Sequence, residues 1–258
     1  MHLSSSSNVI ISFITCYHRC WLSIRGENFS VDLASLREAV LDAVWLLERG
    51  YRRETVRDVV GDKYSLDRRL RSLIYRCVHP AGWISIVKNK YVEPRWLRGK
   101  CIAVDFLNVL GTVLSAMSGG MIVKSLDGFI RDISELHASI LKQPRIYEAT
   151  TIILETVASL NPSKVIFLLE ENVSYSGEIS EFIRRRLRTF SIVGTASTSR
   201  SVDSELVRTG WTVATSDAPI MARANRLIDL AYASIEKLGN VNYCMIDLQK
   251  LVWTDLHG

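Results

Sequence analysis

The chain is short of the residues on which several catalytic plans depend. It has only five histidines in 258 residues, and no Ser-His-Asp arrangement stands out among them. It contains no P-loop and no dinucleotide-binding glycine fingerprint, so the usual nucleotide cradles are excluded. Five cysteines stand at 16, 20, 77, 101 and 244. Their number is odd and no disulfide spacing emerges, which fits a reducing, cytoplasmic compartment. Cys101 and Cys244 lie in apolar runs and read as small buried hydrophobes. No second ligand pair follows Cys16 and Cys20 at zinc-finger spacing. Long apolar runs are missing too. Residues 9–17 are apolar but span only about half the length needed to cross a bilayer, and the start lacks a clear signal-peptide pattern. A membrane partner is therefore not expected. Residues 1–31, with a serine tract at 4–7, read as a poorly ordered leader.

What is present is an uneven charge. Residues 33–98 carry 14 Lys and Arg against 8 Asp and Glu, whereas residues 99–258 carry 16 against 17. A basic segment beside a near-neutral one points to nucleic-acid docking. Within it, Asp32 caps a helix with Leu33, Leu36, Val40, Leu41, Val44 and Leu47 on one face. A second, short helix fits 54–60 and is broken by Gly61-Asp62. Ser65 then caps a third, which directs Leu66, Leu70, Leu73, Ile74 and Cys77 inward and Arg68, Arg69, Arg71 and Arg76 outward. Short helix, turn and basic helix form the outline of a helix-turn-helix. A small all-α domain over 32–82 follows, then a connector over 83–99 rich in aromatic and basic residues.

From residue 100 the pattern becomes α/β. Apolar runs at 101–104, 164–169, 191–194, 212–215 and 243–246 alternate with helical stretches at about 145–160, 177–188, 201–209 and 218–237. This predicts a three-layer domain with a mostly parallel central sheet. The runs 109–115 and 121–125, flanking Ser118-Gly119-Gly120, read as an inserted β-hairpin.

Ligands of such sheets bind beyond the carboxyl ends of the strands. Asp105, Glu170 and Asp217 each fall at such an end, and Asp203 and Glu205 open a helix soon after the third run. Gathered carboxylates repel one another, and bound Mg²⁺ or Mn²⁺ relieves the repulsion with hard oxygen ligands. Such an ion can activate water against a phosphodiester. Ser174 and Ser176 open a helix whose start can hold a phosphate, and its Arg184, Arg185, Arg186 and Arg188 read equally as a track for a nucleic-acid backbone or as a solvated helix face. Asp127-Gly128 reads as a turn, and Arg131 with Asp132 as a local ion pair in preference to a substrate clamp. Ser216 belongs to the neighbourhood of Asp217.

The runs Asp105-Phe106-Leu107-Asn108-Val109-Leu110, Ile166-Phe167-Leu168-Leu169-Glu170, Val202-Asp203-Ser204-Glu205 and Val213-Ala214-Thr215-Ser216-Asp217, in that order, resemble the acid-bearing segments of PIN-like nucleases, including their NYN branch. From about residue 33 onward the chain also resembles an uncharacterised archaeal family that joins a short helical domain to a PIN-like domain. The resemblance implies a metal-dependent ribonuclease with Asp105, Asp203 and Asp217 as metal ligands. Glu170 would be a fourth acid or a water-positioning group, and Asn108 would orient Asp105. The chain departs from the pattern in two ways: two residues separate Asp105 from Asn108 where many PIN domains have one, and the middle-strand acid is Glu rather than Asp. The expected function is metal-dependent hydrolysis of phosphodiesters, with RNA preferred over DNA as partner and a homodimer left open. A DNA- or RNA-binding regulator with a degenerate PIN-like domain is the alternative. Another phosphoryl-transfer enzyme on the same layout is a third reading.

Overall fold

The computed structural model describes residues 20–24, 27–133, 137–239 and 243–256. Most of the expected leader, with Cys16 and the serine tract, lies outside the described residues. The first elements are β1 (Cys20–Ile24) and β2 (Glu27–Val31), an antiparallel pair. Three helices follow: α1 (Leu33–Glu48), α2 (Arg53–Lys63) and α3 (Arg68–Cys77). Asp32 caps α1 as expected, its carboxylate accepting from the Ala34 and Ser35 amides at 3.1 and 3.3 Å. The other two boundaries differ. Gly61 lies within α2 instead of ending it, and Asp67, not Ser65, caps α3 by accepting from Leu70 N at 2.8 Å. Ser65 has a positive φ of 50° and makes the turn between the helices. The expected connector is mostly helix as well. α4 (Ala81–Lys90) and a tight helical turn at Pro94–Leu97 occupy it.

The α/β part continues with β3 (Cys101–Asp105), α5 (Phe106–Met117), β4 (Met121–Lys124), β5 (Ile130–Asp132), α6 (Ile146–Leu160), β6 (Lys164–Glu170), α7 (Ser176–Thr189) and β7 (Gly194–Ser199). It ends with α8 (Val202–Arg208), β8 (Thr212–Ala214), α9 (Ala218–Arg223), β9 (Arg226–Ile228), α10 (Leu230–Ile235), β10 (Cys244–Asp247) and α11 (Leu248–Leu256). Five strands form an all-parallel sheet in the order β7-β6-β3-β8-β9. Alternation along these strands sends Ile102, Val104, Val165, Phe167, Leu169 and Ala214 into a core with α5, α6 and α7. Ala103, Leu168, Val213 and Leu227 face the opposite core with α4, α8 and α9. This makes the three-layer α/β architecture expected from the alternating pattern.

The inserted hairpin is not where the sequence places it. Residues 109–115 belong to α5, a helix buried on nearly every side. A helix apolar all round has no periodicity to separate it from a buried strand. The Ser118-Gly119-Gly120 segment is the end of that helix. Gly119 has φ +68°, and the Gly119 and Gly120 amides return to Ala116 O and Ser115 O at 3.0 and 2.7 Å, the reversed bonds of a left-handed helix stop. A side chain at Gly120 would run into the Ser115 hydroxyl and the Ser115 carbonyl, the latter at 2.7 Å. Gly120→Ala is therefore expected to lose about 1–3 kcal/mol of stability, read as the shift in urea midpoint. Unchanged stability would mean that this stop relaxes freely. The hairpin that does exist joins β4 to β5 through a turn at Asp127-Gly128, where Gly128 has φ +90°. It forms a second sheet in the order β10-β4-β5. The run at 243–246 thus joins this small sheet and not the central one. The strand expected at 191–194 lies at 194–199, and the helix expected over 218–237 is two helices separated by β9.

The small sheet and α11 share one apolar core with α1, α2 and α3: Leu36, Val40, Leu73 and Ile74 pack with Met121, Val123, Ile246 and Val252. Arg76 Nη1 also donates to Asp132 O at 2.6 Å, and Leu126 N to Cys77 O at 3.1 Å. The helical segment is in this way seated directly on the β4–β5 hairpin.

Candidate functional site: an acid edge braced by a buried ion pair

The carboxyl ends of the parallel strands collect the predicted acids. Asp105 ends β3 and starts α5; Glu170 ends β6; Asp217 follows β8 and starts α9. Asp203 stands in the first turn of α8, just after β7. These groups feel one another. Burial raises the Asp105 carboxyl to about 7, and the Glu170 and Asp217 charges push the same way. The Thr215 hydroxyl, which donates to Asp105 Oδ2 at 2.8 Å, and the Asn108 backbone N–H favour its ionised form. Asp217 is raised by burial and then by the Asp203 charge, against Arg76, Arg131 and Arg223. Asp203 itself is exposed, with Arg223 Nη2 at 3.7 Å. Glu205 is turned inward, accepting from Ser199 Oγ at 2.6 Å and from Ser201 Oγ.

Asn108 acts differently from expectation. Its side-chain oxygen accepts from Ser216 N at 2.8 Å and Ser216 Oγ at 3.0 Å. It therefore holds the loop that carries Asp217, while its backbone, not its side chain, faces Asp105. Thr215 completes the loop by accepting from Asp217 N at 3.1 Å.

The pairing expected between Arg131 and Asp132 is replaced by a larger buried cluster. Arg131 forms a two-pronged pair with Asp127, both bonds 2.8 Å long, in a site where the arginine is 2% exposed. Trp83 Nε1 donates to Asp127 Oδ2 at 3.0 Å, and His79 Nε2 stands 3.2 Å from the same oxygen. Arg53 reaches His79 Nδ1 at 2.6 Å and donates to the Tyr75 and Val78 carbonyls. Burial alone would raise the Asp127 carboxyl, but the Arg131 charge and hydrogen bonds hold it well below its ordinary value. The free nitrogen of Arg131, Nε, donates to Ser216 O at 3.0 Å. The ion pair thus braces the Asp217 loop at Ser216, the residue that Asn108 also holds.

His79 and Trp83 carry no signal that sequence reasoning could have used, because they reach Asp127 across more than 40 residues. Asp229 did carry one. It follows β9 just as Asp217 follows β8, but β9 was hidden inside an expected helix. Burial raises Asp229 to about 6, against the Tyr232 and Ile130 amides it accepts from at 2.8 and 2.7 Å. It anchors β5 to the central sheet.

The α7 arginines lie away from this edge. α7 leaves the acid edge after β6 and must return to the start of parallel β7, about 20 Å away by helix rise. Arg184 donates to Glu181 and Ala196 O, Arg186 packs on the Phe190 ring at 5.0 Å, and Arg188 is 3.9 Å from Glu181. At the helix start, Ser174 is exposed, but Ser176 is 2% exposed and turned inward. The predicted phosphate hold is not assembled here.

His79 supplies a pH signature. Burial, then the Arg131 and Arg53 charges, depress it to about 3 despite Asp127. The unfolded chain, with an ordinary imidazole, binds the proton that the folded chain refuses. Stability from this group is therefore complete above about pH 6.5 and falls as pH drops toward 3, by up to about 1.4 kcal/mol per pH unit. Urea titrations at several pH values should show this slope in the wild type and a shallower one in His79→Phe. Equal slopes would remove His79 from the acid response.

The model for "Domain of unknown function (DUF5616)" matches residues 94–233, more than half of the chain. The chain belongs to the DUF5616 family. A second model, "Protein of unknown function (DUF434)", matches residues 35–90. An uncharacterized protein of Methanocaldococcus jannaschii is 30% identical over 206 residues, covering 79% of this chain and 98% of that protein. No solved structure matches. The DUF5616 segment holds Asp105, Asp127, Arg131, Glu170, Asp203 and Asp217, and the DUF434 segment holds Arg53, His79 and Trp83. The buried cluster at Asp127 therefore ties the two matched segments together. Among the described residues, no helix is long and apolar enough to cross a membrane.

Proposed function

We propose that the acid edge is the active site of a Mg²⁺- or Mn²⁺-dependent phosphodiester hydrolase acting on RNA, on a PIN-like plan. The observation that carries this reading is the placement of Asp105, Glu170 and Asp217 beyond the carboxyl ends of three parallel strands, where the Glu170 and Asp217 charges both act on Asp105, with the Asp217 loop held by Asn108 and Arg131. All these donors are carboxylate oxygens, the set that suits a hard divalent cation. Among the described residues no three acid, histidine or cysteine side chains form a ready ion cage. Mg²⁺ does not demand one, since it commonly keeps several waters and takes one or two carboxylates with substrate phosphate oxygens. Asp105 and Asp217 are the residues that would hold it, with Asp203 at the outer rim. When bound, such an ion supplies a water of lowered pKa and positive charge against the phosphoryl oxygens. Glu170 orients water on the β6 side, and the Thr215 hydroxyl keeps Asp105 turned into the site.

The test is cleavage of labelled single-stranded RNA by the full chain with millimolar Mn²⁺, with EDTA, and with Asp217→Asn. Cleavage that needs the cation and is lost in the variant supports the reading. Cleavage indifferent to both, or none at all, sinks it. One observation favours the alternative of a binding regulator without turnover: Asp105 is only 4% exposed and already bonded to Thr215. In that case RNA or DNA binding persists unchanged in Asp217→Asn and in EDTA. The helix-turn-helix outline of α2 and α3 belongs to this reading.

A further inference from the structure

α2 and α3 enclose an open groove of about 670 Å³ lined by Arg57, Asp58, Arg68, Arg71, Ser72, Tyr75 and Arg76. Four guanidinium groups line it with one carboxylate; Arg57 is paired with that Asp58 at 2.7 Å and Arg71 with Asp62 at 2.7 Å, and the lining keeps a net positive charge. Arg68, Ser72, Tyr75 and Arg76 fall on one face of α3 by helical spacing. Several of these side chains are held in place from behind. Arg71 donates to Leu66 O at 2.8 Å and to Asp62 at 2.7 Å, and Arg76 to Asp132 O at 2.6 Å. Tyr75 is half-buried, its hydroxyl donating to Glu54 at 3.2 Å, and the Arg57 guanidinium lies 5.8 Å over its ring.

This shape decides between two kinds of nucleic acid. A helix that reads duplex DNA must project its side chains into a major groove. Here Arg71 and Arg76 are folded back onto backbone carbonyls inside a recess. Fixed cations in a recess beside an aromatic ring match a flexible strand, whose phosphates sit on the arginines and whose bases stack. Of the lining residues, Arg76 donates to Asp132 O, and the neighbouring Arg131 donates to Ser216 O, one residue before Asp217. The Arg76 charge is felt at Asp217 itself.

We propose that the α2–α3 groove docks the phosphate backbone of a single-stranded polynucleotide and leads it past Arg76 to the acid edge. Docking stands on the groove alone; delivery to a cleavage site rests on the hydrolase reading above. The test is fluorescence anisotropy of the full chain in EDTA with short labelled oligouridine and, separately, a duplex DNA hairpin. Arg57→Gln/Arg68→Gln should weaken oligouridine binding roughly tenfold and reduce the salt slope by about 1.4, the share of two phosphates on a single strand. Arg68→Gln alone, on the exposed first turn of α3, should give about half that slope change and serves if the double variant unfolds. Wild-type affinity and slope in a folded variant would overturn the proposal. So would duplex DNA bound more tightly than the single strand and weakened by the same substitutions. Because EDTA prevents turnover, the two ideas fail separately. Binding lost in the variants with no cleavage by the wild type keeps the groove and removes the hydrolase. Cation-dependent cleavage with unaltered binding does the reverse.

Discussion

Asp127→Ala is expected to destabilise the fold by about 3–5 kcal/mol, the usual cost of leaving a buried charge without its partner. Arg131 is 2% exposed and its two terminal nitrogens both bond to Asp127. In the variant the guanidinium keeps Ser216 O but faces an empty site. Trp83 Nε1 and Phe129 N lose their acceptor at the same time. The double variant Asp127→Leu/Arg131→Met removes both charges and should recover part of the loss, since apolar replacements of buried pairs are often near neutral. Recovery stays incomplete because Trp83, Phe129 and Ser216 remain unsatisfied. Urea unfolding of the two single variants and the double gives the coupling directly. A loss below about 1 kcal/mol for Asp127→Ala would mean that water reaches Arg131 and that the pair does not brace the loop.

Asp105→Asn is expected to cut cation-dependent cleavage roughly a thousandfold, equivalent to several kcal/mol of lost charge stabilisation, while making the folded chain more stable above neutral pH. The two effects have one cause. Burial lifts the Asp105 carboxyl to about 7, above its ordinary value in the unfolded chain. Ionisation therefore opposes folding. The penalty is absent below about pH 4, grows between about 4 and 7, and is complete above that. The amide is never charged and keeps an oxygen for the Thr215 hydroxyl, so the variant escapes the penalty. Melting curves at pH 5 and pH 8 should show a gain for Asp105→Asn that is clearly larger at the higher pH. A variant less stable at both values would mark Asp105 as a structural cap. Full activity in the variant would remove Asp105 from the site. A stability gain with a loss of activity is the pattern expected of a charge retained for function.

The acid edge was legible because it depends on a local pattern. Asp105, Glu170 and Asp217 each follow an apolar run, and parallel topology alone brings the ends of such runs together. Asp229 obeys the same rule but was hidden, since the three-residue β9 is too short to break the helical appearance of 218–237. α5 hides its helical period for the opposite reason: its burial is so complete that no polar face marks it.

Composition and periodicity by themselves determined the α/β class of the C-terminal part, the helical character of residues 33–77, the basic charge of that segment and the positions of the four acids. These follow from backbone geometry repeated over a few residues, where side chains three, four or two apart share a face. Only the tertiary structure decided that α1, α2 and α3 share a core with the small sheet, that Arg131 pairs with Asp127 and not Asp132, and that Asn108 holds Ser216. It also decided that the α7 arginines lie away from the acids while Arg76 lies toward them. Most of these relations join elements distant in the chain; Arg131 and Asp127 stand only four residues apart, but the turn between β4 and β5 decides that they meet. A buried charge takes whichever partner the packing brings within hydrogen-bond reach, and sequence spacing does not encode that choice.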